Sequence, residues 1–225
     1  SNTGIPISHS TNGNCFDVLP DIEDKSVDLL FTSPPDISQT DCDLDVTKYK
    51  TFQHKFLQEF GRVTKDDGFV VICQQDRKIN GTVLLNHAFY ASTMESLGFV
   101  LKDYKIIVRN YPVDKKDMYY FNYQHCLIFS RKAKIKRGGD FIRNILVYDT
   151  DRIGGIQGTF NIFVWNEKFI ELVIGHLTKE KSFVVDPFSG SGVVCYVAKN
   201  MNRDYLGIEL NKEVYDKSFM FGRLA

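Results

Sequence analysis

Long apolar runs are missing from this chain. None approaches the ~20 residues that a membrane-spanning helix needs, so no span is expected. The stretch from Ser1 to Asn14 is polar, which leaves no apolar centre for a secretory leader. Cysteines are few and unpaired in spacing: Cys15, Cys42, Cys73, Cys126 and Cys195 are odd in number and form no C-x-x-C. A disulfide frame or a cysteine-built metal site is therefore not expected, and reduced thiols in a cytoplasmic setting are. Charge of either sign is not in excess, since 28 Lys and Arg face 28 Asp and Glu. Any nucleic-acid surface must then be a local patch. Repeats and low-complexity blocks are also lacking. What remains is an ordinary globular composition of 225 residues, sized for one domain over 1–225, with 131–160 as a charged, weakly periodic variable segment.

Among only six prolines, two stand together in "TSPPD" (32–36), directly behind the apolar run "VDLLF". Tandem prolines forbid the helix that usually follows a buried strand and stiffen the chain where it leaves the sheet. The patterning predicts a strand at 27–33, a helix over 51–64 broken by "KDDG", and a strand at 69–74. A helix over 81–98 closed by Gly98 follows, then an antiparallel pair from "FVLKDYKIIVRN" and "QHCLIFSRK". A helix over 166–177 capped by Asn166 leads to "SFVVDPF" as a strand, "SGSG" as a loop and "VVCYVAKNM" as a helix. "RDYLGIEL" forms a last strand before a final helix opened by Asn211. Such alternation implies an α/β fold with a mostly parallel, doubly wound sheet.

"VVDPFSGSGVV" is the strongest local signal. A buried strand ends in Asp186, and Ser189, Gly190, Ser191 and Gly192 lead straight into a helix. Ligands of open α/β sheets bind at the carboxyl ends of strands, where this loop falls, and glycine lets a backbone approach them closely. No Gly-Lys-Ser/Thr follows, so it is not a phosphate loop. Glu209 ends the next strand, where an acid can accept hydrogen bonds from ribose hydroxyls. A tight turn beside a solvated acid is the plainer reading of the same residues.

"TSPPD" and "DPFSGSG", taken together, resemble the amino-methylating DNA methyltransferases that use S-adenosyl-L-methionine. The order, with Ser-Pro-Pro first and the glycine loop last, is similar to their permuted β group. The likeness continues through "NGNCFDVLPDIEDKSVDLLFTSPP", "FGRVTKDDGFVVI", "QHCLIFSRK" and "RDYLGIELNKEVY". It implies a Rossmann-like methyltransferase fold with an antiparallel hairpin and circularly permuted motifs. It further implies that Asp186, Phe188, Ser189, Gly190 and Gly192 surround the methionine part of the cofactor. Glu209 would hold the ribose, and Asn14, Cys15 and Phe16 would lie near the adenine, although Asp is common in the family at position 14. Ser33 and the Pro34 carbonyl would accept hydrogen bonds from an exocyclic amine of an extruded DNA base, with Pro35 stiffening the shelf. Ser33 in the leading position tilts the choice toward cytosine N4, with adenine N6 close behind.

Position 36 departs from the resemblance, because the family places there an aromatic ring that stacks on the base. Three readings of Asp36 stay open. Another aromatic substitutes for it, among Tyr49, Phe52, Tyr111, Tyr119, Tyr120, Phe121, Tyr123 and Trp165. Alternatively, the acid itself bonds the base, or the chain binds cofactor and DNA but catalyses poorly. Lys115, Lys116, Lys132, Lys134, Lys136 and Arg137 are candidate phosphate contacts, with a solvated edge as the plainer reading. His125 reads as a packed or capping histidine. The short variable segment suggests modest sequence specificity, or a protein partner or second copy of the chain that supplies it.

Overall fold

A computed structural model describes residues 8–110, 121–136, 138, 142–149 and 166–221. Lys115, Lys116, Arg137, Tyr111, Tyr119, Tyr120 and Trp165 lie outside the described residues. In chain order the elements are β1 (His9–Asn12), α1 (Cys15–Val18), β2 (Val27–Thr32), α2 (Val46–Val63), β3 (Thr64–Gln74), β4 (Arg77–Ile79), β5 (Thr82–Leu84) and α3 (Asn86–Ser96). There follow β6 (Val100–Asn110), β7 (Tyr123–Ser130), β8 (Ile145–Asp149), α4 (Glu167–Leu177), β9 (Phe183–Asp186), α5 (Val193–Asn200), β10 (Asp204–Glu209) and α6 (Lys212–Asp216).

Eight strands form one sheet in the order β1-β10-β9-β2-β3-β7-β6-β8, and β4 pairs with β5 apart from it. Only β7 runs antiparallel to its neighbours, β3 and β6. Side chains sort to the two faces by the strand period of two. Leu29 and Phe31 of β2, with Phe69, Val71 and Cys73 of β3, pack against α4 and α5. Leu30, Val70 and Ile72 point the other way, onto α2 and α3. Both faces are covered, which is why these strands read as continuous apolar runs and not as alternation. Among the described residues, no helix is long and apolar enough to cross a membrane.

Several boundaries differ from the sequence expectation. Helix α2 starts at Val46 and not at 51, because Asp45 Oδ1 accepts hydrogen bonds from the Thr47 and Lys48 backbones at 2.9 and 3.1 Å and caps it. "KDDG" stays inside β3, where a Cβ on Gly68 would meet the Val27 and Asp28 carbonyls at 2.9 Å. The helix expected from 81 begins at Asn86. The residues before it form the β4–β5 hairpin around Asn80 and Gly81, both left-handed at φ +49° and +77°. Asn-Gly between two short strands is the sequence signal for such a turn, and the helical reading passed over it. The final helix is only five residues long, and β1 and β8 are edge strands that the pattern did not announce.

Candidate functional site

β9 and β2 lie side by side and parallel, with Leu29 opposite Val184 and Leu30 opposite Val185. From β9 the chain winds through α5 to β10 on one side, and from β2 through α2 to β3 on the other. Strand order reverses between them, so a crevice opens at their carboxyl ends. Two segments remote in sequence meet there directly. Thr32 Oγ1 donates a 2.6 Å hydrogen bond to Asp186 Oδ1, both buried and 154 residues apart.

Burial pushes the Asp186 carboxyl up to about 7. The hydrogen bonds from Thr32 and the Phe188 N–H oppose that rise, and the nearby Glu209 charge adds to it. Beyond Asp186, Gly190 and Gly192 take left-handed backbone at φ +50° and +76°. Among the described residues, space over Gly190 is open, for a Cβ there would meet nothing within 4 Å. Gly192 is the reverse case, since its Cβ would fall 2.1 Å from Ser218 Oγ. The Gly190 N–H donates to Glu209 Oε2 at 2.8 Å and the Asn211 N–H to Oε1 at 2.8 Å. Glu209 is thus pinned between loop and strand end, with burial raising its carboxyl. Each of its oxygens still has a lone pair to offer.

The segment after β1 closes over the end of β10. Gly13 N and Asn12 Nδ2 donate to the Glu209 carbonyl at 3.0 and 2.8 Å, which sets residues 14–16 beside that strand end. Asn14 is the cap of α1, accepting from Phe16 N at 3.0 Å. Cys15 is buried, with burial pushing its thiol up to about 12, so it packs and does not react. Phe16 is half-buried, with Lys55 Nζ 4.2 Å above its ring. Phe188 turns toward α2, where its ring meets Phe56 edge-on at 5.3 Å.

The Ser-Pro-Pro turn is held from beneath by a network that sequence spacing does not reveal. The Pro35 carbonyl accepts from Tyr49 Oη at 2.7 Å and from Gln74 Nε2 at 3.1 Å. Gln74 also donates to Tyr49 and accepts from Tyr90, whose hydroxyl accepts from Gln53. Pro35 is therefore saturated. Ser33 Oγ and the Pro34 carbonyl have no hydrogen-bond partner among the described residues. Tyr49 is fully buried, which removes it from the rings that could stack on a ligand.

Asp36 is held through one carboxylate oxygen, Oδ1, which also lies 3.6 Å from Arg77 Nε. Its carboxylate accepts from Ser38 N at 3.0 Å and Ser38 Oγ at 2.6 Å, while Gln39 Oε1 accepts from Asp36 N at 2.9 Å. This capping box closes a 3-10 turn over Ile37–Gln39. Asp36→Asn keeps a side-chain oxygen at the cap and should leave the melting temperature nearly unchanged. Asp36→Ala should cost about 1 kcal/mol, read as a lower denaturation midpoint.

The basic run lies elsewhere. Lys132 N donates to the Asp66 carbonyl and its Nζ sits 3.1 Å from Asp66 Oδ2, at the amino end of β3 and thus at the rim opposite Ser33. Lys134 and Lys136 are exposed beyond it. The structure does not bring Lys132 to the crevice. His125 is buried as expected, but it neither caps nor simply packs: its ring stacks on His87 beside Asp76. Neither Asp76 nor His87 was singled out in the sequence, and their separation of 11 residues across a hairpin gives no periodic signal.

Residues 27–156 and 163–220 match a sequence-family model described as DNA methylase. Type II methyltransferase M.HpaI of Haemophilus parainfluenzae is 27% identical over 225 residues, spanning 89% of this chain and 69% of that protein. Type II methyltransferase M.BglII of Bacillus subtilis is 27% identical over 242 residues, spanning 92% and 67%. Among solved structures, the PvuII cytosine-N4-specific DNA methyltransferase superposes with a TM-score of 0.80 at 19% identity, covering 96% of this chain and 86% of that one. A DNA modification methylase of Thermus thermophilus, solved in complex with S-adenosyl-L-methionine, superposes at 0.73 with 20% identity, covering 96% and 95%. The fold is the Rossmann-like one of these methyltransferases, with the glycine loop following the Ser-Pro-Pro element in the chain.

Proposed function

The chain belongs to the DNA methylase family that its residues 27–156 and 163–220 match, and on that premise we propose that it moves the methyl of S-adenosyl-L-methionine onto an exocyclic amine of a DNA base. Cytosine N4 is the favoured acceptor and adenine N6 the alternative, on the ground of Ser33 leading the motif. The observation that carries the reading is the Thr32–Asp186 hydrogen bond, which ties the Ser-Pro-Pro turn to the glycine loop.

The crevice suits such a cofactor: open space over Gly190, the buried carboxyl of Asp186, and free lone pairs on the half-buried Glu209 for ribose hydroxyls. When bound, the cofactor supplies an electrophilic methyl on a sulfonium. Ser33 Oγ and the Pro34 carbonyl then do the chain's part of the chemistry. An amine conjugated to a ring is a poor nucleophile, and two acceptors placed on its hydrogens draw it toward a tetrahedral shape with its lone pair aimed for in-line displacement. Its surplus proton leaves after the carbon–nitrogen bond forms, so no strong base has to act first. Pro35, locked from below by Tyr49 and Gln74, keeps both acceptors in place.

Asp186 makes cofactor binding depend on pH. Its carboxyl is raised in the folded chain from 3.8 to about 7, so folding favours the protonated form and stability falls as pH rises from about 4 to about 7. The cationic methionine part of the cofactor favours the ionised form instead. Affinity should therefore climb up to tenfold per pH unit below about 7 and level off above it. Asp186→Asn should flatten that profile in calorimetric titrations.

Tritiated methyl transfer to DNA, RNA and protein acceptors, followed by nucleoside mass spectrometry, tests the function. N4-methylcytosine in DNA is the result expected. N6-methyladenine moves the acceptor but keeps the reaction. Cofactor binding without a labelled nucleic acid favours instead a methyltransferase-fold binding subunit, the reading that Asp36 supports by standing where the family keeps an aromatic ring.

A further inference from the structure

We propose that His87 is the stacking platform for the extruded base, taking over the task of the missing ring at position 36. The inference rests on the methyltransferase reading above and names the residue that receives its substrate.

Asp76 lies two residues beyond the end of β3, His87 in the first turn of α3, and His125 in β7 opposite Gln74. Gln74 reaches the Pro35 carbonyl at 3.1 Å, so the cluster sits at the same rim as the crevice, one strand over from β2. The rings of His87 and His125 stack with centroids 3.8 Å apart and planes within 18°. Tyr104 adds a ring 5.5 Å from His125, and its hydroxyl meets His125 Nδ1. His125 is buried and closed in by its neighbours, whereas the His87 side chain keeps 29% of its surface. His87 is therefore the member of the column with surface left to meet a further ring.

A stacking surface must also be rigid, and this one is. Asp76 Oδ2 holds His87 Nδ1 at 2.7 Å, Asp76 Oδ1 accepts from the His87 backbone N–H at 3.1 Å, and Asn86 Nδ2 donates to the Gln75 carbonyl at 3.1 Å. Burial would raise the Asp76 carboxyl, but its bonds to His125 and His87 hold it below its usual range, so the anchor stays anionic. Every base offers a π-face, which makes an imidazole platform tolerant of cytosine and adenine alike. Asp36 caps the turn and carries no ring, which leaves the stacking role unfilled on the Ser-Pro-Pro turn itself.

The test uses the full chain and a duplex DNA that it methylates, with 2-aminopurine next to the methylated base to report unstacking. His87→Ala should weaken DNA binding ten- to hundredfold with cofactor affinity kept, and should change the fluorescence of the bound probe. His87→Phe lacks the Asp76 bond but keeps a flat ring, and it should restore most of the loss. If the wild-type chain methylates DNA while His87→Ala binds it as tightly as before, the inference is wrong and the methyltransferase reading survives. Failure of His87→Phe to rescue also overturns it, because the role would then lie in the Asp76 pair. So would activity lost to a chelator and restored by zinc, since Asp76, His87 and His125 carry donor atoms within 4.8 Å of one another and would be holding a metal. A wild-type chain that binds cofactor and leaves DNA unmethylated would sink the parent reading, and this inference with it.

Discussion

Ser33→Ala should lower the rate of methyl transfer by about 10²- to 10³-fold and leave cofactor affinity where it was. The size follows from the two-acceptor geometry. Removing Oγ leaves the Pro34 carbonyl as the sole acceptor, and the amine can relax toward the planar form in which its lone pair belongs to the ring. The specificity follows from placement. Ser33 is half-buried at the end of β2 and bonds to nothing in the glycine loop, so its loss disturbs neither Asp186 nor Glu209. Single-turnover rates paired with calorimetric cofactor titrations separate the two quantities. Equal losses in both would mean that Ser33 supports the fold of the crevice instead of the reaction.

The second large effect is expected at Gly192, where Gly192→Ala should weaken cofactor binding by ten- to hundredfold. Two costs combine. Left-handed backbone at φ +76° is worth roughly 1–3 kcal/mol against a residue with a side chain. The new Cβ would also lie 2.1 Å from Ser218 Oγ, and Ser218 is itself buried. Ser218 is tied in turn, because the adjoining Phe219 N–H donates to the Ser191 carbonyl at 2.8 Å. Either Ser218 or the loop must shift, and a shift of the loop strains the turn that brings the Gly190 N–H to Glu209. Gly190→Ala is the natural contrast: it shares the left-handed backbone, at φ +50°, but its Cβ meets nothing within 4 Å among the described residues, so it carries the backbone cost without the clash. A lower melting temperature at both positions, with the larger fall at Gly192, would match this division.

How much of this was written in the sequence varies by residue type. The strand ends at Thr32 and Asp186 and the loop glycines were legible because each is a local device: prolines that stop a helix, and glycines that permit a positive φ. Helices α4 and α5, with their caps and apolar stripes, were legible for the same reason. The Asn80–Gly81 hairpin was encoded just as locally, yet the apolar residues after it fit a helical period and were absorbed into one. Long-range pairing left no such trace. Tyr49 and Gln74 share the Pro35 carbonyl across 14 and 39 residues, and no spacing rule connects them. Tyr49 consequently passed for a candidate stacking ring when it is a buried strut. Asp36 stood out only as a departure from the family's ring, while its neighbours Ser38 and Gln39 also announce a cap. Lys132 could not be placed from its charge, because only the antiparallel course of β7 carries it to the far rim.

A crystal structure of the chain with S-adenosyl-L-methionine puts the matter to its most direct test. Donor and acceptor sites, on this view, are two halves of one crevice where the winding of the sheet reverses. The expected density places the cofactor over Gly190, its ribose on Glu209 and its methyl directed at the gap between Ser33 Oγ and the Pro34 carbonyl. Cofactor bound away from Gly190, or with its methyl turned from Ser33, would contradict that arrangement.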